Sequence, residues 1–132
     1  MKQRIVQTTS APAAIGPYSQ GIAAGEFLFV SGQLGLAPAS GELAGPEFGQ
    51  QARQALANLG AILAAGGSGL DQVVAVDVYL TDMEKFTEFN GIYAEFFGDH
   101  KPARAVVEVS RLPRNALVEI KCTAICGMDT WP

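Results

Sequence analysis

Apolar positions along this chain recur with two periods, and the switches between them mark out elements. In GIAAGEFLFVSG (21–32) short apolar runs flank Gly25-Glu26. This predicts two strands joined by a two-residue turn, with glycine at the first position of a type II′ turn. The register sets Ala24 opposite Phe27 and Gln20 opposite Ser31, with Tyr18 near Gln33. Tyr18 and Ser31 then share a face at one end of the hairpin. After a Pro/Gly-rich loop, residues 47–65 carry Phe48, Ala52, Ala55, Leu56, Leu59, Ile62 and Leu63 at helical spacing. The stripe stops at Gly66-Gly67, where a left-handed C-terminal cap costs little. VVAVDVYL (73–80) reads as a buried strand with Val74, Val76, Val78 and Leu80 on one face.

A second helix starts near TDME, where Thr81 and Glu84 have the spacing of a capping box. Its stripe is Phe86, Phe89, Tyr93, Phe96 and Phe97, and Asn90 falls inside it. An amide left dry and unpaired there costs about 1–3 kcal/mol, so it must find a partner. The pattern favours the backbone of a neighbouring loop over a ligand. The last third reads as a hairpin, 103–109 and 116–125, joined around LPRN with Pro113 and Arg114 as the loop. One face then carries Ala103, Ala105, Val107 and Val109 with Val118, Ile120, Cys122 and Ala124, and receives the helices. The other carries Arg104, Val106, Glu108 and Ser110 with Leu117, Glu119, Lys121 and Thr123. The order ββ-α-β-α-ββ predicts an α+β fold with two helices on one side of a sheet. The opposite face, half polar yet carrying Val106 and Leu117, suits a subunit interface or a cleft.

Composition narrows the chemistry. At 132 residues, 48% hydrophobic and 17% charged, the chain is expected to form a single domain, 1–132, with a core that needs no metal or disulfide. A net charge of -4 disfavours a nucleic-acid partner. Cys122 and Cys126 are expected to be buried free thiols in a reducing compartment. With His100 far from both in sequence, no metal cluster assembles. Lys2 and Arg4 precede no apolar signal segment and no stretch reaches membrane-spanning length, so a cytoplasmic protein without a membrane partner is expected.

Arg104 and Glu119, with Tyr18, Ser31 and Asn90 as neighbours, suit a small anionic substrate. A guanidinium matches a carboxylate bidentately, and a glutamate can hold or deprotonate a water. Without a nucleophile–base motif, metal cluster or phosphate loop, water would be the nucleophile, acting on an already electrophilic group. The competing reading is a cross-strand ion network among Arg104, Glu108, Glu119 and Lys121. In the hairpin register Arg104 lies opposite Thr123, roughly 13 Å from the rung of Glu119 at strand rise. Joint action of the two residues would therefore require two subunits.

APAAIGPYSQG (11–21), FVSGQL (29–34), QQARQALANLGAILAAGGSGLDQVV (50–74), YLTDMEKFTEFNGIYAEFFG (79–98) and PARAVVEVSRLPRNALVEI (102–120) closely resemble the Rid (YjgF/RidA) family of reactive-intermediate imine deaminases. The likeness excludes only the extreme N-terminus and the tail GMDTWP. It implies a chorismate-mutase-like fold and a homotrimer with clefts between subunits. It also implies cofactor-free hydrolysis of 2-imino acids (2-aminoacrylate, 2-iminopropanoate and 2-iminobutanoate) to 2-oxo acids and ammonia. Carried over, Arg104 binds the substrate carboxylate and Glu119 positions the attacking water. Tyr18, Ser31, Asn90, Val106 and the backbone at Gly32 line the pocket. Many members carry cysteine where this chain has Val106, a position that can contribute its backbone instead. Two other activities stay open: a ribonuclease or translation inhibitor, and a non-enzymatic sensor of 2-oxo acids.

Overall fold

The computed structural model describes residues 2–127; the segment 128–132, within the tail left out of the resemblance, lies outside them. The main elements are strands β1 (Gln3–Val6), β2 (Gly21–Ala24) and β3 (Phe27–Leu34), helix α1 (Phe48–Ala65), β4 (Val73–Leu80), helix α2 (Phe86–Phe97), β5 (Ala103–Glu108) and β6 (Val118–Ile125). They form the α+β arrangement that the patterning predicts, one six-stranded mixed sheet and two α-helices. Both helices pack in one core against the sheet, α1 with its whole predicted stripe and α2 with Phe89, Tyr93 and Phe97 buried, Phe96 partly buried and Phe86 left exposed at its start. β1 is an addition that four mixed residues gave no sign of, and it pairs antiparallel with β2. Among the described residues no helix is long and apolar enough to cross a membrane.

Local signals explain most of the elements. Ala24 pairs with Phe27 across the β2–β3 turn, and Gly25 has a φ of 60°. Helix α1 buries its entire predicted stripe. Its left-handed residue is Gly67 (φ 78°), one position later than Gly66. The Ser68 N–H then reaches back to the Leu63 carbonyl at 2.9 Å, which closes a Schellman motif.

Two expectations are corrected locally. Val74 is 38% exposed, while Val73, Val76, Val78 and Leu80 are buried. The register against β6 slips between Val73 and Ala75, so Val74 is a bulge residue and the alternation changes phase there. Entry to α2 also differs from the Thr81–Glu84 capping box. A 3₁₀ turn, Met83–Lys85, precedes the helix. Its start is capped by Asp82, whose carboxylate accepts the Glu84 N–H at 3.0 Å. Glu108 accepts the Met83 N–H at 2.8 Å. The shorter aspartate reaches the orphan amide of its own turn, leaving Thr81 no capping role.

The largest correction concerns the C-terminal third. β5 and β6 do not form a hairpin, because the sheet order β1-β2-β3-β6-β4-β5 sets β4 between them. β5 runs parallel to β4, with α2 as the crossover that parallel neighbours require. The connection to β6 is correspondingly long, and it bends through Arg114 and Asn115 at φ of 63° and 55°. Val76 aligns with Arg104 on one side and with Cys122 on the other. Since Val76 and Cys122 are buried beneath the helices, Arg104, Val106 and Glu108 lie on the helix side of the sheet. The β6 half of the expectation holds: Val118, Ile120, Cys122 and Ala124 are buried, and Glu119, Lys121 and Thr123 face the other way.

Three buried amides tie loops to this frame. The Asn58 amide donates to the carbonyls of Leu34 and Leu36 at 3.1 and 2.9 Å. Gln51 accepts the Leu117 N–H at 2.8 Å and donates to the Gly45 carbonyl at 2.9 Å. Gln20 accepts the Thr8 N–H at 2.7 Å and donates to the Pro12 carbonyl at 2.8 Å. Asn58→Ala strips two partly buried carbonyls of their donor and should cost about 1–3 kcal/mol of stability. The expected reading is a lower urea midpoint at unchanged slope; an unmoved midpoint would mean that the amide is dispensable.

Candidate active site

Helix α2 and strand β5 build the first of two polar clusters. Phe86, Asn90 and Tyr93 follow one another at helical spacing and so share one face of α2. Arg104, near the start of the edge strand β5, reaches that face. Its Nη1 donates to Asn90 Oδ1 at 2.9 Å. Its guanidinium carbon lies 4.8 Å from the centre of the Tyr93 ring and 5.7 Å from that of Phe86. Asn90 is therefore paired with a cation rather than with a loop backbone. Val106, two residues along β5, packs half-buried against the core.

Tyr93 is buried, and its hydroxyl has no hydrogen-bond partner within the described residues. Burial pushes the phenol pKa up, Arg104 pulls it down, and Cys122 raises it further. Cys122 is itself pushed up to about 12 by burial, so it stays a neutral thiol. Both cysteines are free and buried, as expected.

The second cluster lies around a β-bulge. Between Val30 and Gln33 the register of β3 against β6 shifts by one residue, which sets Ser31 and Gly32 against Lys121. The Gln33 amide folds back onto the carbonyls of Ser31 and Gly32, at 3.1 and 3.4 Å. This supplies donors to groups that the bulge removes from the ladder. Past the bulge, Leu34 pairs with Glu119. The carboxylate lies directly over the Gly32 backbone, where any Cβ would collide with Glu119 Oε2. Only glycine allows this approach.

Tyr18, Gly32, Gln33 and Glu119 line a cavity of about 300 Å³, whose apolar wall includes Ile15 and Pro113. Tyr18 is half exposed and does lie near Gln33. Ser31 is turned away, its hydroxyl donating to the Ser19 carbonyl at 2.6 Å. Burial raises the Glu119 carboxyl pKa, and Lys121 only partly offsets this.

The two clusters do not meet within one chain. Arg104 aligns with Val76 of β4 and Glu119 with Tyr79 of the same strand. Strand rise and spacing set the two backbones roughly 14 Å apart. They also lie on opposite faces of the sheet, so the predicted shared face and the ion network among Arg104, Glu108, Glu119 and Lys121 are absent. Glu108 is engaged instead by the Met83 N–H. Sequence reasoning missed the clasps Gln20 and Gln51, which hold the segment leading to Tyr18 and the residue two before Glu119. Their signal was available. Gln51 and Asn58 interrupt the apolar stripe of α1 just as Asn90 interrupts that of α2.

The sequence profile of the family described as Endoribonuclease L-PSP, the YjgF/RidA family, matches residues 8–126. The chain belongs to the Rid family. It is 49% identical to a RutC family protein of Pyrococcus horikoshii, over 92% of this chain and 97% of the relative. To the 2-iminobutanoate/2-iminopropanoate deaminase of Mus musculus it is 45% identical, over 95% and 93% of the two chains. The solved structure of E. coli TdcF with bound serine superposes with a TM-score of 0.90 at 37% identity, covering 94% of this chain and 99% of that one.

Within the Rid fold the raised Glu119 carboxyl has a consequence for stability. The folded chain holds this proton more tightly than the unfolded chain does. The resulting stabilisation is full below the unfolded pKa and is lost as pH rises through the raised folded pKa. Ionised Glu119 is thus a cost at neutral pH. Glu119→Gln should raise Tm there, and the gain should shrink on acidification through the carboxylate range. A Tm that falls at neutral pH would mean that the charge has a stabilising partner.

Proposed function

We propose that this Rid protein hydrolyses small 2-imino acids to 2-oxo acids and ammonia, in clefts formed between copies of the chain in a homotrimer. The observation that carries this reading is a pair of incomplete half-sites in one chain. One is an arginine with no acidic partner among the described residues, and the other is a half-buried carboxyl set over the Gly32 backbone, its pKa raised by burial. The names of the mammalian relatives and the serine bound to TdcF support a small amino-acid-derived ligand. Exposed Phe29, Val107 and Ile125 give a subunit interface its apolar surface.

In this mechanism Arg104 of one chain binds the substrate carboxylate through two parallel N–H bonds, and Asn90 keeps the guanidinium in place. Glu119 of the neighbouring chain takes a proton from water as the water oxygen bonds to the imine carbon. Glu119 passes this proton on to the imine nitrogen, giving a tetrahedral carbinolamine and regenerating the carboxylate. The hydroxyl proton is then transferred to the amine, and as the C–N bond breaks ammonia leaves and the C=O bond of the 2-oxo acid forms. Tyr18 and the Gly32 backbone shape the pocket around the reacting carbon, Ser31 ties the strand beside it to the Ser19 carbonyl, and Val106 contributes an apolar wall. An enamine such as 2-aminoacrylate enters the same route after tautomerising to the imine. No step needs a cofactor. Ionised Glu119 is the active form, so the acid limb of the rate should lie above the usual carboxylate range.

Arg104→Ala and Glu119→Ala should each slow ammonia release from a freshly generated imine by about 10²-fold or more. Refolding the two variants together restores both residues in about one cleft in four of a random closed ring. About a quarter of the native rate should then return. If mass measurements establish mixed assemblies and no activity returns, the shared cleft is wrong. Retained binding of a 2-oxo acid by the native protein without any turnover would instead make it a sensor.

A further inference from the structure

We infer that Phe86 and Tyr93 are positioning residues for Arg104. Their two rings hold the flat face of the guanidinium so that its edge stays open to a carboxylate. The inference rests on the reading of Arg104 as the carboxylate's partner.

The geometry separates the two surfaces of the guanidinium. All five of its N–H groups lie in its plane, while its faces carry none. Arginine can therefore stack on rings without using the donors that recognise a carboxylate. Both rings fall within the roughly 6 Å over which a cation is attracted to an aromatic face. In the plane only one contact occurs within the described chain, from Nη1 to Asn90 Oδ1 at 2.9 Å. That oxygen belongs to a neutral amide, so it orients the fork without cancelling its charge.

An acidic partner would hold the arginine as firmly, but a substrate carboxylate would then have to displace it. None is present. The ion pairs among the described residues join Arg53 to Glu95 and Lys85 to Glu88. Glu108, on the same side of β5 as Arg104, is occupied by the Met83 N–H. Restriction of a long, otherwise mobile side chain thus occurs on folding rather than on binding. Tyr93 contributes its ring rather than its hydroxyl, which is buried and makes no hydrogen bond among the described residues. The spacing of Phe86, Asn90 and Tyr93 brings all three contacts from a single helical face.

Phe86 is 37% exposed, so it can be replaced with little risk to the core. The test compares Phe86→Leu, which removes the ring, with Phe86→Tyr, which keeps it. Binding of 2-oxobutanoate is titrated by calorimetry, and imine hydrolysis by ammonia release. Phe86→Leu should raise both the Kd for 2-oxobutanoate and KM about fivefold with little change in kcat, and Phe86→Tyr should restore both. Tyr93→Phe should likewise keep native affinity. In an Arg104→Ala background Phe86→Leu should leave kcat/KM unchanged, because nothing remains to be positioned. An equal loss in that background, or no rescue by tyrosine, would reduce Phe86 to a structural role. If Arg104→Ala weakens 2-oxobutanoate binding while Phe86→Leu does not, the positioning inference fails and the carboxylate reading stands. If Arg104→Ala leaves binding intact, the carboxylate reading itself fails.

Discussion

The insertion of β4 between β6 and β5 is the constraint on which both half-sites depend. Had β5 and β6 paired directly in the register that the patterning predicts, Arg104 and Glu119 would have shared a face of the sheet. With a buried strand between them, each is paired through β4, and the alternation sends one toward α2 and the other away. The crossover helix that makes β5 parallel to β4 is also the helix that receives Arg104. One topological choice therefore separates the opposite charges and supplies the cation with a cradle.

That separation explains how each group keeps a reactive character. A guanidinium beside a carboxylate would be neutralised, and the carboxylate would be held ionised well below its usual pKa. Instead the arginine rests on an amide and two rings. The glutamate is half-buried against Gly32, where burial favours the protonated form. A half-buried carboxyl whose one nearby charge, Lys121, only partly offsets its desolvation holds a raised pKa at a cost in stability.

The irregular features concentrate around the same places. The β3 bulge, the left-handed residues Arg114 and Asn115, and the long loops are all departures from regular pairing. Buried amides make them rigid: Gln33 covers the bulge carbonyls, Gln51 fixes Leu117 near the start of β6, and Gln20 clasps the segment that leads to Tyr18. Such side chains hold non-repeating backbone in one conformation where a purely apolar contact would let it slide.

Periodicity alone located both helices, the β2–β3 hairpin and the alternation of β6, because each depends on neighbours a few residues away. It also placed Asn90 in a stripe where an amide had to be explained. Motif likeness carried Arg104, Glu119, Tyr18 and Gly32, and the structure brings Tyr18, Gly32 and Glu119 into one cavity while leaving Arg104 with Asn90 elsewhere. The partner of β5 was not legible, since an antiparallel hairpin and a parallel crossover differ in long-range pairing, which the alternation within one strand does not record. The face of Arg104 followed from that pairing and was misread with it. The phase change at Val74 escaped for a related reason: a bulge is a mismatch between two strands, and neither strand records it by itself. The chain thus determined through its local spacing which residues lie in helices and strands. Only the tertiary pairing decided which side of the sheet each charge occupies.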